Sequence, residues 1–308
     1  MRAAVVDVGS NSIKLLVADM RPDGRVAEVR SQTLEARISA GISSANPRLG
    51  PDGIERGVSA IANLASEARG LGADRIAVVA TSAVRDASNG ADFREMVRAA
   101  TGLDIRILTG FEEASLIGRG LTTDPALEGL TDFCVFDLGG GSLECLSFRG
   151  GAMERALSLP LGCVRLTEMF VDEPSAPFSA SSARRVGDHV KDVLIKSGFP
   201  LPVPPGAPVV GTGGTLTTVR AMLAAKRRVA LEEVGPAIGV PVLRETLGEV
   251  GPLDLAGRKR IPGLPHGRAD VFPAALASLL AVAELGQFGV FRHSLRNLRW
   301  GVASEMLG

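Results

Sequence analysis

A chain of 308 residues, 45% hydrophobic and 22% charged, has the composition of a soluble globular protein and the length for two domains. Lysine plus arginine number 34 and so do aspartate plus glutamate, which excludes a global electrostatic funnel for nucleic acid. No apolar run reaches the length needed to span a bilayer.

Residues 3–8, 12–20 and 25–32 read as three short strands, with turns at Gly9-Ser10 and Pro22-Asp23-Gly24. The spacing of Ile54, Val58, Ile61, Leu64 and Ala68 predicts a helix over 51–69. A buried strand follows at 76–80, a helix at 92–100 stopped by Gly102, a strand at 104–108 and a helix from 112 to 120. The order then restarts. Strands are expected at 133–137, 143–148 and 153–159, and helices near 164–170 and 181–196. After the proline-rich "GFPLPVPPGAP" come a strand at 209–210 and a glycine turn running into a helix, "GTGGTLTTVRAMLAA". Helices are expected at 242–250, 269–285 and 298–307.

This order is a duplication. Three strands followed by alternating helices and strands occur twice, and each copy opens on the same pattern, "DVGSNS" and "DLGGGS". Two similar α/β domains facing across a cleft are expected, spanning 1–120 (completed by the C-terminal helix 294–308) and 121–293.

Glycine permits positive φ and close approach of a ligand, and successive N–H groups in such turns cradle anions. Gly139, Gly140, Gly141 and Ser142 form one candidate phosphate cradle, and Gly9 with Ser10, Asn11 and Ser12 the other. Each taken singly also reads as a plain β-hairpin turn. Asp7 and Asp137 end their strands beside these turns, where they could hold Mg²⁺ through its water shell. The third turn, with Gly211, Gly213 and Gly214 ahead of a helix, looks like a further phosphate or nucleotide site.

Cys134, Cys145 and Cys163 lie among apolar residues without zinc spacing, and the N-terminus shows no charged leader, so a cytoplasmic protein with buried thiols is expected. His189, His266 and His293 are scattered, which leaves hydrolytic chemistry to carboxylates. Trp300 reads as core packing and His266 as a surface residue. The clusters at Lys226–Arg228 and 258–260 read either as solvated faces or as guides for a polyanion.

The motifs "DVGSNSIKLLV", "ATSAVRDASN", "TGFEEASLIGRG", "VFDLGGGSLE", "GTGGTLTTVRAM" and "PGLPHGRADVFPAALASLL" together resemble the exopolyphosphatase / guanosine pentaphosphatase family, within the actin–Hsp70–sugar kinase superfamily. The resemblance implies two ribonuclease H-like (actin-like ATPase) domains. It implies that Glu113 is the general base, that Arg85 binds the substrate phosphate, and that Asp137 and Glu144 lie near the metal, Mg²⁺ or Mn²⁺. Gly139, Gly140, Gly141 and Ser142 would form the main phosphate loop, opposed by Ser10, Asn11 and Ser12. Glu112 is the better candidate for a helix-capping role. The chain departs from the family at Ala40, where an acidic residue is usual beside the retained Arg37, and in "LRWG", where Trp300 replaces glutamate. The implied activity is Mg²⁺-dependent removal of the terminal phosphate of inorganic polyphosphate. Guanosine pentaphosphate is the alternative substrate, and a non-catalytic nucleotide or polyphosphate sensor the alternative of another class. A homodimer would follow the family.

Overall fold

The computed structural model describes all 308 residues and comprises two units, Met1–Glu128 with Arg296–Gly308, and Gly129–Leu295. Unit 1 begins with β1 (Arg2–Val8), β2 (Ile13–Met20) and β3 (Val26–Leu34). It continues through α1 (Pro51–Gly70), β4 (Arg75–Ala80), the short α2 (Ser82–Arg85), α3 (Gly90–Thr101), β5 (Ile105–Ile107) and α4 (Gly110–Thr122). The sheet order is β3-β2-β1-β4-β5, antiparallel among the first three and parallel from β1 through β4 to β5. Central β1 is apolar on both faces and buried on both, as a strand sandwiched between layers must be, whereas edge strand β3 is largely exposed and polar.

Unit 2 holds β6 (Phe133–Leu138), β7 (Leu143–Arg149), β8 (Ala152–Leu159), α5 (Cys163–Phe170), α6 (Ala180–Ser197), β9 (Val209–Thr212) and α7 (Gly214–Arg227). It then adds β10 (Ala237–Gly239), α8 (Val240–Val250), α9 (Leu255–Lys259), α10 (Phe272–Gly286) and β11 (Val290–His293). Its sheet runs β10-β11-β9-β6-β7-β8. The stretch β8-β7-β6-β9-β11 repeats the strand order and directions of the first sheet, and β10 is an added antiparallel edge. Both units are therefore ribonuclease H-like. α10 is buried nearly all round because the apolar "FPAALASLLAVA" is its whole surface, and it packs on α6 and α8.

The chain closes with α11 (Leu298–Leu307), which belongs to unit 1 and lies against α4. Glycine makes that approach possible. A Cβ at Gly120 would collide with the Asn297 carbonyl, and one at Gly301 with the Leu116 carbonyl. Trp300 is buried in this layer, with the Arg296 guanidinium 3.9 Å from its ring centroid.

Three local readings of the sequence are corrected. β10 and β11 were not expected, because three- and four-residue strands flanked by glycine carry too little periodicity. The helix expected from 269 starts at Phe272, with Pro273 in its first turn, where a missing N–H costs nothing. Arg258 is no solvated cation: its guanidinium is fully buried and donates to the carbonyls of Leu253, Pro174, Ala269 and Ala176. Lys226, Arg227 and Arg228 are exposed.

Candidate active site

The two glycine hairpins have one construction. Gly9 N–H donates to the Ser12 carbonyl at 3.2 Å, and Gly139 N–H to the Ser142 carbonyl at 3.0 Å. Neither glycine takes a left-handed φ, contrary to the expectation that positive φ is their use; a Cβ at Gly9 would lie 3.0 Å from the Ser12 carbonyl oxygen, so close approach is. Gly213, in the third turn, does adopt φ 96°, with a Cβ position only 2.7 Å from Asp137 Oδ1.

In unit 2 the loop is backed by the N-terminus of α5. Cys163 N–H donates to the Gly139 carbonyl (3.0 Å), Val164 N–H to Gly140 (2.8 Å), and Arg165 Nε to Gly141 (3.1 Å). Helix N–H groups that have no intrahelical acceptor are thereby satisfied. A trans peptide points its N–H opposite to its C=O. Three successive carbonyls held by α5 therefore turn the N–H groups of Gly140, Gly141 and Ser142 away from it, as an anion cradle requires. Gly162 is the hinge of this packing, since a Cβ there would collide with Gly140 and Gly141. In unit 1 the residues 36–39 do the same: Arg37 N–H donates to the Asn11 carbonyl (3.0 Å) and Ser39 Oγ to the Ser10 carbonyl (3.1 Å). The Arg37 side chain also donates to Asn11 Oδ1, at 3.1 and 3.3 Å.

The strand-end carboxylates differ. Asp7 pairs in register with Lys14; burial pushes its carboxyl up, against the pull of Lys14 and Arg299. Asp137 pairs in register with Glu144, so two buried carboxylates stand side by side, about 5 Å apart at their Cα atoms. Ser158 Oγ donates to Glu144 Oε1 at 2.7 Å. No group of three or more His, Cys, Asp or Glu forms a metal cage in the structure. Two adjacent carboxylates nevertheless fit Mg²⁺, which takes few protein ligands and fills its octahedron with water and phosphate oxygens.

Arg85 and Glu113 both lie in unit 1 and meet. Glu113 is buried (5% exposed) in the first turn of α4, and Arg85 Nη1 donates to its Oε2 at 2.7 Å and to the Leu108 carbonyl at 3.1 Å. Asp86 is a looser partner of Arg85, 3.5 Å from Nε. Glu112 closes a capping box with Thr109 and pairs with Arg106. The Thr109 backbone bond, then Arg106, hold its carboxyl down to about 2.

Several supporting residues escaped the sequence reading. Arg165, in "LGCVR", and Ser158, in "ALSLPLG", owe their parts to loop closure and strand register. Arg268, in "HGRAD", lies against Gly214 at the start of α7, where a Cβ would collide with the guanidinium. Thr212 and Thr215 bury hydroxyls that have no protein partner beside the same turn. His293 accepts from Arg220 at Nδ1 (3.2 Å), because arginine only donates. Its proton is then on Nε2, which faces Thr217 Oγ1 (3.3 Å), and that hydroxyl donates to the Gly213 carbonyl (3.1 Å). Burial and Arg220 depress this imidazole to about 3. His266 is exposed, as expected.

Two ribonuclease H-like units, each with an aspartate-ended first strand and a glycine hairpin, define a protein of the actin-like α/β class. Residues 16–308 match the Ppx/GppA phosphatase family, and the chain belongs to it. It is 34% identical over 230 residues to exopolyphosphatase 2 of Mycobacterium tuberculosis, covering 72% of this chain and 70% of that protein. Among solved structures it is similar to the PPX-GPPA enzyme of Aquifex aeolicus (26% identity, TM-score 0.77, 99% of each chain). An exopolyphosphatase from Cytophaga hutchinsonii shares the fold at TM-score 0.90 and 22% identity, covering 100% of this chain and 98% of that one. No helix is long and apolar enough to cross a membrane.

Proposed function

We propose that this phosphatase is an exopolyphosphatase, hydrolysing the terminal phosphoanhydride bond of inorganic polyphosphate. The relationship to exopolyphosphatase 2 supports the substrate. The observation that carries the chemistry is the buried Glu113 carboxylate held at 2.7 Å by Arg85. A carboxylate fixed by an arginine is the group to orient a water and take its proton as the water oxygen bonds the terminal phosphorus. The bridging oxygen leaves with the shortened chain. Arg85, whose guanidinium carries five donors, can hold Glu113 and a phosphate oxygen together.

The N–H groups of Gly140, Gly141 and Ser142 are assigned to phosphate oxygens in unit 2, and those of Asn11 and Ser12 to the same class of ligand in unit 1. The α7 N-terminus at Gly213 and Gly214, following Gly211, is a third anion-facing element. A divalent cation, Mg²⁺ or Mn²⁺, is assigned to Asp137 and Glu144, where it would neutralise phosphate charge. Asp7, paired with Lys14, is assigned a structural part. Free, buried Cys134, Cys145 and Cys163 suit the reducing cytoplasm.

The test is phosphate release from long-chain polyphosphate, short-chain polyphosphate and guanosine pentaphosphate side by side. The proposal expects polyphosphate to give the highest kcat/KM and turnover to stop in EDTA. Exclusive turnover of guanosine pentaphosphate would replace the substrate while keeping the chemistry. Binding without turnover of any of the three would make the chain a sensor.

A further inference from the structure

The duplicated sheets place the same four positions in a row across four strands. In unit 1 the row is Val79, Asp7, Lys14 and Thr33; in unit 2 it is Thr212, Asp137, Glu144 and Ser158. Residues paired in register project from the same face of a sheet, so each row is one line of neighbouring side chains. The copies differ in chemistry. Unit 1 sets a lysine beside its aspartate and valine on the other flank, and so neutralises itself. Unit 2 sets a second carboxylate beside its aspartate and a hydroxyl on either flank. One hydroxyl, Ser158, donates to Glu144 Oε1 at 2.7 Å and fixes that carboxylate's rotation. The other, Thr212 Oγ1, is 0% exposed and has no protein partner, next to Asp137. A buried hydroxyl left without a partner beside two carboxylates is the donor set of a hard cation that wants neutral as well as anionic oxygens.

We infer that the unit 2 row as a whole is the cation site, with Ser158 the positioning residue for Glu144 and Thr212 a neutral oxygen facing the ion. This rests on the assignment of the cation to Asp137 and Glu144 above. Ser158 sets the direction of the Glu144 oxygens before the ion arrives, the part a partner behind a ligating carboxylate plays. Thr212 has its hydroxyl satisfied only when the ion or its water is present.

The experiment is titration of the phosphate-free protein with Mn²⁺ alone, following free Mn²⁺ by electron paramagnetic resonance, with circular dichroism melts to establish folding. Ser158→Ala and Thr212→Val should each weaken Mn²⁺ about tenfold or more. Ser158→Thr and Thr212→Ser, which keep the hydroxyl, should stay within about threefold of the unsubstituted protein. Ser147→Ala removes another buried, unpartnered hydroxyl of β7, on the opposite face, and should change nothing. Unaltered affinity in Ser158→Ala and Thr212→Val, together with lost binding in Glu144→Gln, would overturn this inference and leave the cation assignment standing. Unaltered affinity in Glu144→Gln, or no Mn²⁺ binding by the unsubstituted protein, would overturn both. Should an alanine or valine variant fail to fold, the hydroxyl-retaining pair decides: affinity lost in a folded Ser158→Thr or Thr212→Ser protein counts against the geometry.

Discussion

Arg85 Nη1 bonds Glu113 Oε2 at 2.7 Å, and the same nitrogen bonds the Leu108 carbonyl, so the guanidinium is tied to the loop that launches α4 as well as to the carboxylate on it. The capping box of Thr109 and Glu112 fixes the start of the helix that carries Glu113, and Arg85 fixes the direction of its carboxylate. Glu113→Gln keeps shape and burial but cannot take a proton. It should lower kcat about 10²–10⁴-fold with little change in KM, since general-base catalysis contributes at that scale. Arg85→Ala removes the clamp together with the phosphate donor proposed for it, so kcat should fall and KM rise together. Steady-state phosphate release on the two variants separates these outcomes; full turnover in Glu113→Gln would remove the carboxylate from the chemistry.

Gly162 has ordinary backbone torsion, so substitution there acts through space alone. A methyl group at this position would enter the space of Gly140 and Gly141 and push the loop off the α5 N-terminus. Gly162→Ala should therefore reduce kcat/KM on the order of a hundredfold, the effect of about 1 Å of misplacement. The thermal midpoint should fall as well, because Gly162 and Gly141 are buried and the collision is with backbone atoms that have little room to move. Kinetics and a melt on the same preparation check both halves. Undiminished kcat/KM would show that the loop is not held in place by α5.

The hairpins were readable in the sequence because their pattern is local: at the end of an apolar strand, an aspartate, a glycine and a serine fall within six residues, in both copies. The duplication was readable for the same reason. What lay outside reach is what register and long-range closure create. Ser158 meets Glu144 only because β7 and β8 align those two positions, and the apolar alternation of β8 gives no sign of it. Arg165 reaches Gly141 through the return of α5, and Arg258 is buried by carbonyls from loops more than 80 residues earlier. Composition makes Arg258 look like a surface cation, and only tertiary structure removes it from water. The residues of the Arg85–Glu113 pair were both singled out from motifs, but their bond depends on how β4, α2 and α4 sit in one sheet-and-helix layer.

Asp7 and Asp137 hold equivalent places in the two sheets, yet their in-register neighbours carry opposite charge. Asp7 has Lys14 in register and Arg299 nearby, while Asp137 has Glu144. A site that already contains its own cation has little use for a second. Asp7→Asn should leave Mn²⁺ affinity within about twofold, whereas Asp137→Asn should lower it about tenfold or more. Mn²⁺ titration of the two variants decides between one cation row and two. Equal losses would return Asp7 to the metal.

His293 gives unit 2 a predictable weakness to acid. Its imidazole is buried, accepts from Arg220, and is held down to about 3, against 6.5 for a free histidine. The unfolded chain therefore takes up a proton below about pH 6.5 that the folded chain refuses until about pH 3. Stability contributed by this group is full above 6.5 and falls as the pH drops through that window. Between pH 7 and pH 5 the loss is about 2 kcal/mol from this one residue, at roughly 1.4 kcal/mol per unit below 6.5. His293→Gln retains a hydrogen-bonding side chain without the titration, so it should be less stable at pH 7 but lose about 2 kcal/mol less on going to pH 5. Amide exchange of β9, α7 and β11 at the two pH values reads this directly, because Thr217 and Arg220 tie the imidazole to the first turns of α7. The Gly213 carbonyl is the last acceptor of that chain, so the α7 turn should loosen only where the folded imidazole itself takes a proton, near pH 3. Because the folded imidazole stays neutral between pH 7 and pH 5, phosphate affinity of the folded protein should follow the same pH profile in His293→Gln as in the unsubstituted protein over that range; a steeper fall in the unsubstituted protein would show that the folded imidazole titrates well above 3.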